Sequence, residues 1–353
     1  MLSRKELTRG DAITMLIGDG VESMTITIYD VAERAGVSIS TVSKTMNTPS
    51  MVRKPTRDRV LAAIDDLQFV PKSEALARAR RGVGRIGVVA PLSSYPSFEV
   101  RLRGVLDALR DEAFELVLYD QESLTVRHDY LASLPLSDRL DGVIVMSLQF
   151  DDTVASRLLT RGLPTVLVEF ARRGFSSVQV DDVEGGRIAA EHLVALGHQR
   201  CAFVGEATLS DSIDIDAAHR VDGYRDGLRS AGIDLPDEYV SLGSYGTEEA
   251  RAQAHELLQR ADPPTAILAH SDVQAVGVLR ALQDRGLRCP DDVAVVGFDD
   301  LDFAEYVGLT TIAQPLRESG RVATDLLLAR VADASAPIQK ISLPMHLVRR
   351  ATT

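Results

Sequence analysis

Apolar positions change their period partway along the chain. Between Ile26 and Phe69 they recur at helical spacing in three short bursts. Thr27 with Asp30 forms a hydroxyl-to-carboxylate start, and Ile28, Val31, Ala32 and Ala35 follow on one face. Gly36 stops this first helix, Ser38 is a natural N-cap for a second with Thr41 in its first turn, and Val42 and Met46 form its apolar side. A third helix is predicted from about Thr56 to Leu67, burying Val60, Ile64 and Leu67. Residues 71–84 are rich in Ala and Arg, end in glycines, and read as a linker that can become helical. After Arg85, strand-like apolar runs (Ile86–Ala90, Leu116–Tyr119, Val143–Met146, Val166–Val168, Cys201–Val204, Ala266–Ala269, Val293–Val296) alternate with amphipathic segments (Val100–Ala113, Gly185–Leu196, Arg220–Ala231, Val273–Arg285). This alternation predicts parallel sheets covered by helices on both faces. Roughly 265 residues of it suffice for two such sheets, each with its own core.

The predicted fold is therefore an N-terminal all-α unit followed by an α/β body built on two parallel open sheets. The expected divisions are a leader over 1–23, a helical domain over 24–70, a linker over 71–84 and a two-lobed body over 85–350. The leader has no sustained periodicity and reads as disordered, or as an over-extended start with Met24 as the initiator.

Composition changes the picture in two places. No window holds eighteen consecutive apolar residues, and the apolar patch Ala12 to Ile17 is short and flanked by Asp11 and Asp19, so neither a membrane span nor a secretory signal is expected. Two cysteines, Cys201 and Cys289, cannot make a disulfide framework, which points to a reducing cytoplasm. The net charge of −12 argues against a nucleic-acid partner until it is divided along the chain. Residues 24–82 carry +4, residues 1–23 carry −1 and the remainder −15, so a basic end precedes an acidic body.

In that basic end Ala32, Gly36 and Val42 meet the needs of a helix-turn-helix: a small residue where the helices cross, a glycine in the turn and a branched anchor in the second helix. Such a second helix enters the DNA major groove and reads base edges from its first turns. Its exposed side presents Ile39, Ser40, Ser43 and Lys44: Lys44 suits guanine, Ile39 a thymine methyl, Ser40 several bases. Ser38, Thr41, Asn47, Arg53 and Thr56 suit phosphates. A capped surface helix without a ligand is the competing reading.

The run from Thr27 through Tyr29, Asp30, Val31, Ala32, Ala35, Gly36, Val37, Ser38, Ile39, Ser40, Thr41, Val42, Ser43 and Lys44, then Asn47, Thr56 and Arg57, resembles the headpiece of the LacI/GalR family of bacterial transcription regulators. The resemblance extends over roughly residues 24–350 through the segments 182–186, 191–198, 220–224, 292–300 and 310–315. It implies a periplasmic-binding-protein-like effector domain, a palindromic double-stranded DNA operator, a homodimer and repression controlled by a small ligand, most often a sugar. In family members a hinge helix inserts a leucine into the minor groove. Here Leu76 lies two residues before the matching position, which is Arg78. Arg78 is no apolar wedge; either it lies in a narrow minor groove or the segment is a plain basic linker.

Ligands of two facing α/β sheets bind at the C-terminal ends of the strands. Glu169, Asp299 and Ser271 follow predicted strands, and Arg220 is expected to open a helix. The resemblance assigns these four, with Ser97, Phe98 and Gln314, to the effector cleft. Carboxylates accept from paired hydroxyls, Arg donates to oxygens, and Phe98 offers an apolar face, a set that suits a polyol. Phe170 stands where the family commonly has Arg, so the ligand's identity does not carry over.

Other chemistry finds little support. The glycines of 82–87 match a dinucleotide fingerprint but precede a strand instead of following one. Seven histidines are scattered without ligand spacing, so no metal or cofactor is expected, and His192, His198 and His270 read as capping or core residues. The adjacent carboxylates Asp181–Asp182 and Asp299–Asp300 lack an activated nucleophile, which disfavours an enzyme. An exported sugar-binding protein would share the body but carry a signal and no helix-turn-helix.

Overall fold

The structure is a computed structural model that describes residues 26–67, 69, 83–120, 131–136, 140–207 and 215–353. The chain begins with three helices, α1 (Ile28–Ala35), α2 (Ile39–Asn47) and α3 (Lys54–Leu67). The Asp30 carboxylate accepts from the Thr27 N–H at 2.7 Å and from its hydroxyl at 2.8 Å, closing the start of α1. Gly36 ends α1 in the left-handed region at φ 64°, where a side chain would be strained. Ser38 Oγ accepts the Thr41 N–H at 3.2 Å and starts α2. Val31, Ala32, Ala35, Val42, Val60 and Ile64 form one small core. Helix α3 starts two residues before its expected onset, and Leu67 is only half-buried.

Two six-stranded sheets make up the body. The N-terminal lobe has strands β1 (Gly84–Ala90), β2 (Phe114–Asp120), β3 (Gly142–Met146), β4 (Thr165–Val168), β5 (Ser176–Gln179) and β11 (Lys340–Ser342), in the order β11-β5-β4-β3-β1-β2, all parallel. The C-terminal lobe has β6 (Cys201–Glu206), β7 (Val240–Gly243), β8 (Ala266–Ala269), β9 (Ala294–Asp299), β10 (Thr310–Ala313) and β12 (His346–Val348), in the order β12-β10-β9-β8-β6-β7, with β12 antiparallel. Central strands are buried along their whole length because helices cover both faces. On the N-terminal lobe these include α4 (Pro96–Leu109), α5 (Asp152–Thr160) and α11 (Leu316–Ala332); on the C-terminal lobe, α6 (Asp182–Ala195), α7 (Ile215–Ser230), α8 (Thr247–Leu257) and α9 (Asp272–Asp284). A short α10 (Asp302–Tyr306) follows β9.

The chain passes between the lobes three times: from β5 to α6, from β10 to α11 and from β11 to β12. The C-terminal ends of both sheets therefore face one cleft. The headpiece rests on the N-terminal lobe, where Arg157 of α5 donates to Asp65 of α3 at 2.7 Å and Arg161 to the Phe69 carbonyl at 2.8 Å.

Helices cross very closely in both lobes. A Cβ on Gly104 of α4 would lie 1.9 Å from the Arg317 carbonyl, and one on Gly320 of α11 would lie 2.0 Å from the Arg101 carbonyl. In the other lobe a Cβ on Gly186 of α6 would lie 2.1 Å from the Arg220 carbonyl, and one on Gly223 of α7 would lie 1.8 Å from that of Val183. The helices cross at backbone contact only because all four positions lack side chains.

Candidate functional site

On the headpiece, α2 is amphipathic in the required sense. Val42 and Thr45 are fully buried, while Ile39, Ser40 and Lys44 are exposed and Ser43 is half-buried. Exposed and buried residues fall on opposite sides of the helix. The Ser38 hydroxyl is engaged locally, 2.8 Å from Ser40 Oγ and 2.9 Å from Thr41 Oγ1. Arg53 is exposed and Thr56 half-buried beside it at the start of α3. Asn47 closes α2, its side chain outside the described set; Leu76 and Arg78 also lie outside the described residues. Arg57, buried under the turn that follows α2, donates to the carbonyls of Pro49 and Val52 at 3.2 Å. It holds that turn in place, a role invisible in a basic residue of a basic segment.

The interlobe cleft gathers Ser97, Phe98, Glu169, Arg220, Ser271, Asp299 and Gln314 around a cavity of about 60 Å³. Pro91, Tyr95, Ser147, Glu206, Tyr245 and His270 complete its walls. A second chamber of about 530 Å³ adjoins it, sharing Ser147 and Glu169 and bounded by the interlobe passages near Asp181 and Ser342. Three strand ends reach the cleft with strained backbone: Ser147 at φ 51°, Glu169 at φ 75° and Asp299 at φ 120°. Such conformations cost about 1–3 kcal/mol each in non-glycine residues and persist where the surroundings fix a side chain's aim.

Arg220 does not open its helix. It lies in the second turn of α7, which begins at Ile215. There it is buried, with Nε donating to Asp182 Oδ1 at 2.7 Å, Nη1 to the His270 carbonyl at 2.8 Å, and the guanidinium 3.8 Å above the Phe298 ring. Ser271 caps α9, its Oγ accepting the Gln274 N–H at 3.2 Å. Asp299 and Asp300 diverge as adjacent strand-end residues must: Asp299 Oδ1 accepts from Gln314 Nε2 at 2.6 Å, while Asp300 pairs with Arg350 at 2.7 Å. Asp182 pairs with Arg220, whereas Asp181 caps α6.

A residue the sequence reading passed over sits beneath these groups. Arg101 of α4 is 1% exposed, and its Nη2 donates both to Glu169 Oε1 and to Gln314 Oε1, the latter at 3.1 Å. With the Gln314–Asp299 bond this makes a chain, Glu169–Arg101–Gln314–Asp299, from one lobe to the other. At the lip, Tyr95 donates to Glu206 at 2.9 Å and its ring lies 4.5 Å from that of Tyr245. The cleft is thus closed by polar contacts that a ligand can replace one for one.

Burial sets the protonation of the cleft. It raises Glu169 despite the Arg101 guanidinium, and it lifts Asp299 to about 6, with Arg220 and Arg101 opposing. Asp272 rises to about 8, through burial and then repulsion from Asp299, while its oxygens accept from Thr311 Oγ1 at 2.6 Å and the Leu301 N–H at 2.7 Å. Burial and then Arg220 push His270 well below the ordinary imidazole range, so it is neutral. Both aspartates titrate above their unfolded value of about 3.9. The folded state therefore holds more protons than the unfolded one between about pH 4 and 8, and their contribution to stability falls as pH rises through that window. The stability of Asp272→Asn relative to the parent is accordingly expected to increase from about pH 5 to 8 in thermal melts. A difference that shrinks over that range contradicts a buried, reluctantly ionised Asp272.

Among the described residues no group of three or more His, Cys, Asp or Glu is placed to hold a metal ion. None of their helices is long and apolar enough to cross a membrane.

Comparison with known proteins accords with this geometry. The profile of bacterial regulatory proteins, lacI family, matches residues 27–72, and that of the periplasmic binding protein-like domain matches 190–353. The HTH-type transcriptional repressor PurR of Photobacterium profundum is 30% identical over 330 residues, covering 92% of this chain and 97% of its own length. The solved complex of the transcriptional regulator CelR with cellobiose has a TM-score of 0.69 and 31% identity, covering 93% of this chain and all of that one. A LacI family regulator from Enterococcus faecium with bound ribose has a TM-score of 0.67 and 30% identity, covering 76% and 98% respectively. With its helix-turn-helix headpiece and two-lobed α/β body, the chain belongs to the LacI family of bacterial regulatory proteins.

Proposed function

We propose that this protein is a transcriptional repressor that binds a palindromic operator as a homodimer and is controlled by a saccharide held between its lobes. One observation carries the reading: the chain that presents an exposed polar α2 also contains a cleft closed by the replaceable chain Glu169–Arg101–Gln314–Asp299. The sugars bound by the CelR and Enterococcus faecium regulators favour a saccharide over other small ligands. Ile39, Ser40, Ser43 and Lys44 are the proposed base readers, and Ser38, Thr41, Asn47, Arg53 and Thr56 the phosphate contacts. Ser97, Phe98, Glu169, Arg220, Ser271, Asp299 and Gln314 are the proposed effector contacts.

The dimer is supported by geometry and by surface. One reading helix covers too few bases, and a two-fold pair matches a palindrome. The edge strands β2 and β7 carry the exposed Leu118 and Leu242, and α4 the exposed Leu106, apolar positions suited to contact with a second copy. Effector binding changes the lobe angle and with it the spacing of the two headpieces. Such couplings amount to about 1–3 kcal/mol, and the effector's affinity shifts reciprocally when the operator is bound.

A gel-shift on palindromes upstream of the gene, with and without saccharides, tests the whole. A retarded band whose midpoint moves with one sugar is expected; no retardation at low salt on any fragment refutes it. Lys44→Ala is expected to weaken operator binding by about 1–3 kcal/mol relative to random DNA. Equal losses on both DNAs would reduce Lys44 to a phosphate contact.

A further inference from the structure

Arg101 is an unusual group to find where it is. Its side chain is 2% exposed, and only Nη2 has partners. Nε and Nη1 are buried with no hydrogen-bond partner. A buried guanidinium normally fills its donors, because each one left empty forfeits the water it gave up. Arg101 lies directly behind the closed cleft: Glu169 and Gln314, the two acceptors of Nη2, both line its cavity, while Arg101 itself is covered by them and does not line it.

Its placement repeats that of Arg220. Arg101 stands three residues before Gly104, and Arg220 three before Gly223. Each glycine lets its helix touch a neighbouring helix at the backbone, and the Arg101 and Arg220 carbonyls are themselves contact points for Gly320 and Gly186. Each guanidinium is paired with one carboxylate of its own lobe, Glu169 or Asp182. The two lobes thus present one arginine each by the same device.

We propose that Arg101 is an effector-binding residue of the N-terminal lobe, and that the effector it takes is a neutral polyhydroxylated molecule and not an anionic sugar acid or sugar phosphate. The proposal rests on the reading of the cleft as an effector site. Empty N–H donors call for ligand oxygens as acceptors. Charge selects among oxygen-rich ligands: the arginines are each paired with a carboxylate, and Asp299 and Glu206 add further carboxylates to the lining, Asp299 accepting from the Gln314 amide and Glu206 from the Tyr95 hydroxyl. An added anion would meet these carboxylates, whereas hydroxyl groups donate to Asp299 and Glu169 while their oxygens accept from Arg101. The central cavity of about 60 Å³ is far below the ~300–1,000 Å³ of ordinary ligand sites, so the lobes open to admit the molecule and the empty donors are filled on reclosure.

Thermal shift of the full chain with glucose, galactose, ribose, maltose and cellobiose, against glucuronate, gluconate and glucose 6-phosphate, tests the class. At least one neutral sugar is expected to raise Tm and the charged ones to leave it unchanged. Stabilisation by the charged compounds alone overturns the proposal. If no compound acts although operator DNA is retarded, the effector reading falls and Arg101's role with it, while DNA binding stands. The strongest neutral sugar is then titrated calorimetrically into Arg101→Gln, Glu169→Gln and the double variant. Arg101→Gln is expected to lose about tenfold or more in affinity, in the parent and in the Glu169→Gln background alike. If the loss vanishes in that background, Arg101 is only the counter-ion of Glu169 and the proposal fails. Arg101→Lys keeps the charge and the fold but lacks the empty planar donors; affinity equal to the parent in this variant also refutes the proposal.

Discussion

Arg220→Ala is expected to cost about 3–5 kcal/mol of folding stability and to abolish the effector response. Both effects come from one geometry. The guanidinium is buried, 2.7 Å from Asp182, 2.8 Å from the His270 carbonyl and 3.8 Å above Phe298. Removing it leaves the Asp182 carboxylate buried without its counter-charge, and this orphaned charge is the larger part of the cost. The lost guanidinium also removes a polar part of the cleft wall beside His270. Urea unfolding measures the first effect, and the effector-dependent change in operator binding the second. Adding Asp182→Asn separates them: with the orphaned charge gone, part of the stability returns, but the effector response does not. A stability loss under about 1 kcal/mol would mean that the ion pair is solvated in solution, as surface pairs are.

How much of this was legible in the sequence depends on which physical signal each element carries. The headpiece was readable nearly residue by residue, because caps, a turn glycine and a buried stripe all fall within one short stretch. Central strands such as β3 and β8 announced themselves as unbroken apolar runs, a consequence of burial on both faces. The edge and polar strands did not. In β5 the buried residues include Ser176 and Ser177, and β10 begins with two buried threonines, so neither resembles an apolar run. β7, β11 and β12 are short and partly exposed, and their pairing is fixed by tertiary contacts alone.

The cleft shows the same division. All seven expected residues meet at it: Glu169, Ser271, Asp299 and Gln314 because strand ends converge where parallel sheets face each other, and Ser97, Phe98 and Arg220 from the opening turns of helices. Contacts across the cleft were out of reach: nothing local connects Tyr95 to Glu206, 111 positions later. Arg101 differs, because its signal was present and passed over. It shares a helical face with Phe98, Gly104 and Val105, and a charge in phase with a buried stripe marks a group with a partner inside. In the same helix Arg103 does what a charge usually does, pairing with Glu99 and Asp302 at the surface.

Gly223→Val is expected to lower stability by more than about 3 kcal/mol, beyond the usual range for overpacking, and to silence the cleft without touching it. The reason lies in what the new side chain meets. A Cβ there stands 1.8 Å from the Val183 carbonyl oxygen, a backbone atom that cannot swing aside. Helices α6 and α7 must separate by at least about 1.2 Å to bring that contact to even 3.0 Å. Asp182 is on α6 and Arg220 on α7, so their bond of 2.7 Å stretches out of hydrogen-bonding range as the helices part. Gly36 supplies the contrast. Its φ of 64° is strained for any other residue, yet nothing lies within 4 Å of an added Cβ. Gly36→Ala should therefore cost only about 1–2 kcal/mol and leave the sugar response intact. Paired measurement of urea midpoint and sugar affinity in the two variants decides the matter. If Gly223→Val keeps normal sugar affinity, Arg220 is not aimed by the helix crossing, and the shared placement of Arg101 and Arg220 has no functional meaning.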